Sequence, residues 1–473
     1  MRPVSLDDVV WRSAVEIAAL IRTRQISPVE LTEAVLARVH ALNPRLNAFC
    51  LVTDDVARAA AREAEIAVTK REPLGPLHGV PVSLKDVLFT RGIVTTGGSR
   101  LYAGHVPEVD AVAVARLRAA GAVILGKTNT SEFGHKALTD NPLFGPTRNP
   151  WDPALTPGGS SGGAAAAVAA GLGAVALGTD GGGSVRLPAA FCGVVGVKPS
   201  YGRVPAHPGF PGFERLSHVG PLARTVRDAA LVLDAIAGGD DRDRASLPRE
   251  PGSSYLAACD DEVKGLNVAW APDLGDAAVD PEVLEVCGNA AAGFESLGAH
   301  VEVVNPGWES PEAAFTTLVA AQFYAAWSDA LPEREADMDP TLVRFVRRGG
   351  AVSAREYLAA AARVEAYWQE VRAFLERFDL LLTPTAAVPP FPLDGKPPRE
   401  IAGREVSVLG WMPFTYPFNL TGQPAVSVPA GVTAAGRPVG LQIVGRRHAD
   451  GTVLAAAAAY EGACPWHERR PAP

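Results

Sequence analysis

The sequence predicts an α/β protein in which helices cover both faces of a β-sheet. Short apolar runs between Gly and Pro residues alternate with helical segments from Val80 onward. Strands that alternate with helices in this way pack as a covered sheet. Near the C-terminus, two apolar runs joined through residues 433–436 have the pattern of a hairpin. The chain has 473 residues, of which 47% are hydrophobic, so it can bury a large core.

The N-terminal segment, residues 1–75, is predicted to be helical. Ser13 with Glu16, and Ser27 with Glu30, fit the capping box, in which a hydroxyl and a carboxylate three residues apart satisfy free N–H groups. Pro28 follows Ser27 at the first helical position, where its missing N–H costs nothing. We therefore expect two helices that begin at these serines.

The remaining elements follow from the apolar runs. Predicted strands of the central segment, residues 76–237, are Val80–Leu84, Ala122–Leu125, Ala174–Leu177 and Val194–Val197, with helices at Ala111–Ala120 and Ala164–Ala170 between them. A charged loop at 238–244 marks a boundary. Residues 250–377 hold strand candidates Leu266–Trp270 and Val301–Val304, and then a more helical part whose last helix runs from Ser353 to about Arg377. Residues 378–473 return to strands at Leu380–Leu382, Ala425–Val428 and Val439–Val444.

Composition excludes several classes of function. The formal net charge is −8, so the chain lacks the positive field that holds a nucleic-acid backbone, and we expect no nucleic-acid partner. No run of 18 uninterrupted apolar residues predicts a membrane helix, and Asp7 and Asp8 stand where a signal peptide would be apolar. The five cysteines are far apart without a CxxC motif, so neither disulfides nor zinc are expected. These features are typical of a cytoplasmic protein that does not bind membranes.

One segment matches a phosphate-binding motif in its residue pattern but not in its predicted structure. Gly121–Thr128 fits the Walker A pattern GxxxxGK[ST]. Its four middle residues are Ala, Val, Ile and Leu, which predict a buried strand rather than a loop with inward N–H groups. We therefore interpret Lys127 as a residue near the end of a strand.

Two Gly- and Ser-rich segments are more informative. Pro157–Gly163 and Gly178–Pro188 are separated by a predicted helix and strand. Either one alone would be interpreted as a flexible turn. Glycines also let backbone N–H groups converge on one point, as an oxyanion requires, and a serine at the end of such a loop has its hydroxyl beside them. The pair therefore indicates a nucleophilic serine next to an oxyanion hole.

A serine nucleophile needs a base, and the residues offer two candidates. Gly158-x-Ser160-x-Gly162 fits the nucleophile elbow, which would pair Ser160 with a histidine and an acid. An elbow follows a strand directly, whereas the preceding residues 149–153 include two prolines and cannot form one. The other candidate is Lys85, opposite Val82 and Leu84 at strand spacing. Such a lysine alone is more typical of a solvated strand end.

Taken together, these segments resemble the amidase signature family. The resemblance rests on Gly158–Pro205, which closes with Gly193–Arg203, and extends to 127–134, 148–153, 418–424 and 440–445. It covers nearly the whole chain. The resemblance implies one main domain with a large mixed sheet, a variable helical region at 250–377 that covers the substrate, and C-terminal strands that complete the sheet.

The resemblance also implies a Ser-Ser-Lys triad. Ser184 is then the nucleophile, Ser160 the bridging serine preceded by a cis peptide bond, and Lys85 the base, which burial keeps partly neutral near pH 7. Asp180 and Arg186 are interpreted as a structural pair that holds the loop. The remaining implied roles are hydrogen bonding by Ser161, oxyanion binding by the N–H groups of Gly181, Gly182, Gly183 and Ser184, and lining of the acyl side by Phe133, Gly134 and His135.

The implied activity is hydrolysis of small or aryl amides, and also of carbamates (urethanes) and esters, through an acyl-enzyme on Ser184. It requires no metal or organic cofactor, and we expect a monomer or homodimer that binds a small-molecule amide. The alternatives are the A subunit of a glutamyl-tRNA amidotransferase, which releases ammonia from glutamine, and a non-catalytic scaffold. Residues 308–377 should cover the leaving-group side. Their aromatic residues would form either its wall or core: Phe315, Phe323, Tyr324, Trp327 and Tyr357. No fixed cation in the sequence predicts a carboxylate-selective pocket.

Overall fold

The computed structural model describes residues 6–394 and 396–472. Its strands are β1 Phe49–Val52, β2 Pro81–Lys85, β3 Val123–Thr128, β4 Val175–Asp180, β5 Val195–Lys198, β6 His218–Ala223, β7 Asn267–Trp270, β8 His300–Val303, β9 Leu380–Pro384, β10 Glu400–Ile401, β11 Arg404–Glu405, β12 Ala425–Val432 and β13 Pro438–Gly445. Its helices are α1 Leu6–Val9, α2 Ala14–Arg22, α3 Pro28–Leu46, α4 Asp54–Lys70, α5 Val112–Ala119, α6 Gly162–Ala169, α7 Arg186–Cys192, α8 Val226–Ile236, α9 Tyr255–Ala258, α10 Pro281–Ser296, α11 Glu312–Trp327, α12 Leu331–Arg334, α13 Pro340–Gly350, α14 Ala354–Arg377, α15 Pro417–Thr421 and α16 Asp450–Ala463.

Eleven of these strands form one mixed sheet in the order β1-β3-β2-β4-β6-β5-β12-β13-β9-β7-β8. Strand β2 runs parallel to both β3 and β4, whereas β4 pairs antiparallel with β6. Strands β1–β6 form one side of this sheet, and the other side consists of β7, β8, β9, β12 and β13. The two sides join where β5 pairs antiparallel with β12. Strands β10 and β11 form a separate short hairpin.

Helices pack on both faces of this sheet, as predicted. On β13, the Gln442 side chain accepts a hydrogen bond from Arg186 of α7, and Val444 packs in one cluster with Tyr367 of α14. Leu441 and Ile443 alternate to the opposite face. Helices α10 and α16 also pack against β13.

The predicted strands are all present, with ends that shift by at most four residues, and both serines cap their helices, although only the first of the two predicted capping boxes is complete. Ser13 and Glu16 make the complete capping box of α2. Ser27 accepts from the N–H groups of Val29 and Glu30 at the start of α3, while its hydroxyl donates to Glu65 of α4. The Walker-like residues form β3, paired to β1 and β2, as the apolar sequence predicts.

Strands β1, β6, β10 and β11 were not predicted. Strand β1 has four residues at the edge of the sheet, and only its first is buried. Strand β6 contains Gly220 and Pro221, two residue types that argue against an internal strand, yet it lies between β4 and β5.

Across the described residues, no helix combines the length and apolarity needed to cross a membrane.

The topology brings three chain segments to one edge of the sheet. Strands β2 and β4 are parallel neighbours, so their carboxyl ends, at Lys85 and Asp180, lie at the same edge. Helix α6 begins directly after Ser160 and Ser161, and α7 begins two residues after Ser184. Both Gly- and Ser-rich segments therefore lie where a strand ends or a helix begins.

Candidate active site

Lys85, the last residue of β2, has a fully buried side chain at the base of the site. Its Nζ donates to Ser160 Oγ at 2.6 Å and to Thr179 Oγ1 at 2.9 Å. Burial lowers the pKa of Lys85 to about 7, although the negative charge of Asp180 acts in the opposite direction. A large fraction of this lysine is therefore neutral near pH 7 and can accept a proton.

The first Gly- and Ser-rich segment presents Ser160 to this lysine. The peptide bond between Gly159 and Ser160 is cis. A Cβ atom on Gly159 would lie 2.3 Å from the backbone of Leu138, so only glycine fits there. The next residue, Ser161, donates its hydroxyl to Thr179 O at 3.2 Å and its N–H to Ser184 O at 3.1 Å. These bonds join the two Gly- and Ser-rich segments to the end of β4.

Ser184 lies at the end of the second segment and is 7% exposed. Ser184 and Ser160 line the same cleft. Within residues 6–394 and 396–472, the hydroxyls of these serines form no hydrogen bond with each other. The same part of the chain offers no acceptor to the N–H groups of Gly181, Gly182 and Ser184.

Gly183 does not fit the oxyanion role expected from the sequence. Its N–H donates to Asp180 Oδ1 at 2.7 Å, so this donor is already engaged. The expectation that Gly183 offers an N–H to an oxyanion is therefore wrong. Gly181, Gly182 and Ser184 remain as candidate donors.

Asp180 and Arg186 form the expected ion pair behind the loop. Both side chains are fully buried, and Arg186 binds the carboxylate through Nε and Nη2, each at 2.9 Å. Burial alone would raise the pKa of Asp180, but Arg186 holds it well below its usual range. Arg186 also donates to Gln442 Oε1 at 2.7 Å and to Asn419 Oδ1 at 2.6 Å. The C-terminal half of the chain thus fixes the pair that supports the nucleophile loop.

A cleft of about 790 Å³ opens above the serines. Phe133 and Gly134 line it, as predicted, and a Cβ atom on Gly134 would lie 3.3 Å from Ser160 Oγ. Phe133 has a φ of +49° and stacks on Trp327 with ring centres 3.7 Å apart. Gly134 therefore lies close to Ser160, and Phe133 forms a wall of the cleft beside it.

His135 does not line the cleft, contrary to the prediction. Its ring Nε2 lies 2.7 Å from Thr341 Oγ1, and its Nδ1 lies 2.8 Å from the carbonyl of Glu132. The side chain is 3% exposed, and burial lowers its pKa to about 4. His135 therefore connects this loop to the start of α13 rather than contacting substrate.

The opposite wall of the cleft comes from residues 201–219 and 242–245 rather than from 308–377. The five aromatic residues expected in the latter region are absent from the described lining. Phe315, Phe323 and Trp327 are buried core residues, and Phe323 packs on the lining residue Phe213. These aromatic residues form a second layer behind the lining.

The cleft lining includes arginines that the sequence analysis did not place there, although nothing in the lining tests whether the pocket selects carboxylates. Arg215, Arg242 and Arg244 all contribute to the lining. Glu214 and Asp243 line the same wall, so charges of both signs are present. Over the described ranges, no group of three or more His, Cys, Asp or Glu side chains is arranged to hold a metal ion.

Comparisons with known proteins show the family to which the chain belongs. The family model described as Amidase matches residues 30–454. The chain belongs to the amidase family. It is therefore an amidase, an enzyme that hydrolyses the carbon–nitrogen bond of amides.

The similarity to individual relatives covers almost the whole length of this amidase. It is 42% identical to an acylamidase from Rhodococcus erythropolis, over 98% of this chain and 97% of that protein. It is 39% identical to the A subunit of the glutamyl-tRNA(Gln) amidotransferase from Moorella thermoacetica, over 98% of this chain and 99% of the relative. Among solved structures, a bacterial aryl acylamidase superimposes with a TM-score of 0.91 at 36% identity, over 97% of each chain. A 6-aminohexanoate cyclic dimer hydrolase in complex with its substrate gives a TM-score of 0.89 at 35% identity, over 98% of this chain and 99% of the other.

Sequence reasoning missed several residues that shape the site. Thr179 lies next to Asp180 within the second Gly- and Ser-rich segment, and its hydroxyl contacts Lys85. Asn419 and Gln442 lie in segments that carry the family resemblance, which was a usable signal for a shared role. Thr415 lies just before α15 and outside every recognised segment, yet it donates to the carbonyl of Gly182. No local pattern could have identified it.

Proposed function

We propose that this amidase cleaves small and aryl amides with Ser184 as nucleophile, Ser160 as proton relay and Lys85 as base. The observation that carries the proposal is the buried Lys85 Nζ, 2.6 Å from the hydroxyl of Ser160. That hydroxyl lines the same cleft as Ser184. A lysine whose pKa is lowered to about 7 can accept a proton at physiological pH.

In the acylation step, neutral Lys85 accepts the proton of Ser160 while Ser160 accepts the proton of Ser184. The Ser184 oxygen then forms a bond to the carbonyl carbon, and the carbonyl electron pair moves onto its oxygen. The N–H groups of Gly181, Gly182 and Ser184 are suited to bind this oxyanion because they are not engaged elsewhere in the described chain. Hydrogen bonds between catalytic groups are often long in the free enzyme and tighten when substrate binds, which accommodates the separation of the two serine hydroxyls.

The relay then runs in reverse. The proton passes from Lys85 through Ser160 to the amide nitrogen as the carbon–nitrogen bond breaks, so that a neutral amine leaves. The acyl group remains on Ser184 as an ester. Water gives a proton to the same relay and attacks the acyl carbon, and the relay returns that proton to the Ser184 oxygen as the ester bond breaks and the carboxylic acid leaves.

Aryl amides are the favoured substrates. The cleft walls include Phe133, Phe210 and Phe213, which suit a flat apolar group. The proteins named acylamidase and aryl acylamidase are similar to this chain over nearly its full length. Carbamates and esters present the same carbonyl geometry to Ser184, so we propose them as further substrates.

The second candidate is the A subunit of a glutamyl-tRNA amidotransferase. The 39% identity to the Moorella thermoacetica protein favours it. Its expected signature is turnover of glutamine that appears only with partner subunits. If the chain is instead an amidase of small and aryl amides, the isolated chain should hydrolyse p-nitroacetanilide faster than glutamine.

The test measures release of p-nitroaniline by the purified chain and by Ser184→Ala. We expect Ser184→Ala to lose activity by about 10²–10⁶-fold, since it removes the nucleophile. The matched control is Ser83→Ala, which removes a buried hydroxyl that has no partner in the described structure, on the same strand as Lys85. Its activity should stay within about threefold of the parent, the range of a substitution that removes no contact. Mass spectrometry during ester turnover should find the acyl group on Ser184. Retention of turnover by Ser184→Ala would reject the mechanism.

A further inference from the structure

Thr415 reaches the nucleophile loop from 233 residues further along the chain. Its side chain is fully buried, and its Oγ1 donates to the carbonyl oxygen of Gly182 at 2.8 Å. Its own carbonyl accepts from Arg186 Nη1 at 3.0 Å. Thr415 is therefore joined to the loop through its side chain and to the ion pair behind the loop through its backbone.

The hydrogen bond to Gly182 fixes one end of a peptide plane whose other end is also fixed. The carbonyl of Gly182 and the N–H of Gly183 belong to one planar unit and point in opposite directions. Thr415 binds the carbonyl, while Asp180 Oδ1 accepts from the N–H at 2.7 Å. With both ends held, the plane cannot rotate without breaking two buried hydrogen bonds.

The fit around this peptide is close. A Cβ atom on Gly183, whose φ is +128°, would lie 2.4 Å from Thr415 Oγ1. A Cβ atom on Gly182 would lie 2.8 Å from the ring of Phe315, and one on Gly181 would lie 2.6 Å from Phe213. The loop is thus enclosed by a hydroxyl and two aromatic rings. Thr415 is the member of this group that binds the loop by a hydrogen bond.

We propose that Thr415 is the positioning residue of the oxyanion-binding loop. Its hydroxyl keeps the Gly182 carbonyl turned inward, so that the free N–H groups on either side of this peptide, those of Gly182 and Ser184, stay directed at the developing oxyanion. Without the hydroxyl, the carbonyl loses its buried partner, and only the hydrogen bond from the Gly183 N–H to Asp180 still resists a rotation that turns the carbonyl oxygen toward the cleft. A carbonyl oxygen there would repel the oxyanion. This proposal rests on the proposed role of Ser184.

The test compares Thr415→Val, which keeps the shape and removes the hydroxyl, with Thr415→Ser, which keeps the hydroxyl. For p-nitroacetanilide we expect Thr415→Val to lower kcat by about 10- to 100-fold, less than the 10²–10³-fold loss from removing an oxyanion donor itself. KM should change by less than about threefold, since the loop acts on the transition state. Thr415→Ser should recover most of kcat. Thr415→Ala serves as the second hydroxyl-free variant if the valine does not fold.

A tetrahedral adduct provides a readout that a purely structural role would not move. Phenylboronic acid forms a negatively charged adduct with a serine nucleophile, so its Ki should rise in Thr415→Val by the factor by which kcat/KM falls. The Ki of neutral benzamide should stay within about twofold. Unchanged kcat in a folded Thr415→Val, or equal losses in the valine and serine variants, would overturn the proposal. If Ser184→Ala remained active, the failure would belong to the proposed function instead.

Discussion

Two buried lysines on neighbouring strands differ in the groups that they contact, and therefore in the roles that we propose for them. Lys85 ends β2 and Lys127 lies in β3, where the register pairs Lys85 with Thr128 and Leu84 with Lys127. The two side chains therefore lie on opposite faces of the sheet. Both are fully buried. Burial lowers the pKa of Lys85 to about 7 and that of Lys127 to about 8, while Asp180 and Asp86 respectively act in the opposite direction.

The difference lies in the groups that each Nζ contacts. Lys127 donates to the Leu88 carbonyl, to Thr90 Oγ1 at 2.9 Å and to Thr95 Oγ1 at 3.0 Å, and these contacts hold the chain that follows β2. Lys85 donates to a serine hydroxyl that lines the cleft. A lowered pKa therefore makes proton transfer feasible in both places. The transfer can contribute to catalysis only where the neighbouring hydroxyl also has access to substrate.

The largest expected effect separates the two lysines by activity. Lys85→Met should lower kcat/KM for p-nitroacetanilide by about 10²–10⁶-fold, because it removes the base of a single catalytic unit. Lys127→Met should retain activity within about tenfold, because its contacts are structural. Steady-state kinetics on the two folded variants checks this. Comparable losses in both would mean that burial rather than contact sets the role.

Two further variants sharpen the same comparison. Lys85→Arg should be inactive despite its charge, because a guanidinium does not release its proton in this range. The double variant Lys85→Met/Ser160→Ala should be little worse than the poorer single variant, since both interrupt one relay. Losses that multiply would show that Lys85 and Ser160 act independently.

The pH dependence is the next largest effect. Because Lys85 must be neutral to accept a proton, kcat/KM should rise about tenfold per unit at low pH and level off above a midpoint near 7. This midpoint lies far below the ordinary lysine value of about 10.4. This midpoint falls within the ordinary pKa range of histidine, so the rise of kcat/KM with pH does not by itself identify Lys85 as the titrating group. Burial lowers the pKa of His135 to about 4 and that of His218 well below its usual range, which separates both from this midpoint.

The lysine variants identify the group that causes the rise of kcat/KM with pH. This rise should be unchanged in Lys127→Met and missing from the residual activity of Lys85→Met. Rate profiles from pH 5 to pH 9 at constant ionic strength give the comparison. A rise that persists in Lys85→Met would place the titrating group elsewhere.

The smallest expected effect concerns stability. Lys127→Met removes the Nζ donor from Thr90 Oγ1 and Thr95 Oγ1, at a cost of about 1–3 kcal/mol for each buried group left unsatisfied, whereas the Leu88 carbonyl keeps the hydrogen bond from the Thr90 hydroxyl. The midpoint of urea unfolding should fall in this variant by more than in Lys85→Met. In the latter, Ser160 loses one bond and Thr179 loses two, but both residues line the cleft, where water can replace these bonds. An unchanged midpoint for Lys127→Met would show that these contacts do not hold the segment.

The sequence predicted the parts of the molecule that have a local signal. Apolar runs between Gly and Pro located the buried strands, and the contiguous family motifs located Lys85, Ser160 and Ser184. The errors came from contacts that depend on the folded conformation. Thr341, which contacts the ring of His135, is far from it in the sequence, whereas the Asp180 carboxylate binds the N–H of Gly183 only three residues away. Neither contact can be derived from the residue types alone.

The strand order also has a consequence for the timing of activity during synthesis. Lys85, Ser160 and Ser184 all lie in the first two fifths of the chain, and the strands of that part, β1–β6, are contiguous in the sheet. The groups that bind Arg186 behind the loop, Asn419 and Gln442, leave the ribosome after all three of these residues. A growing chain can therefore contain every proposed catalytic residue while the loop lacks these contacts. We expect a chain that stops before Asn419 to have no amidase activity.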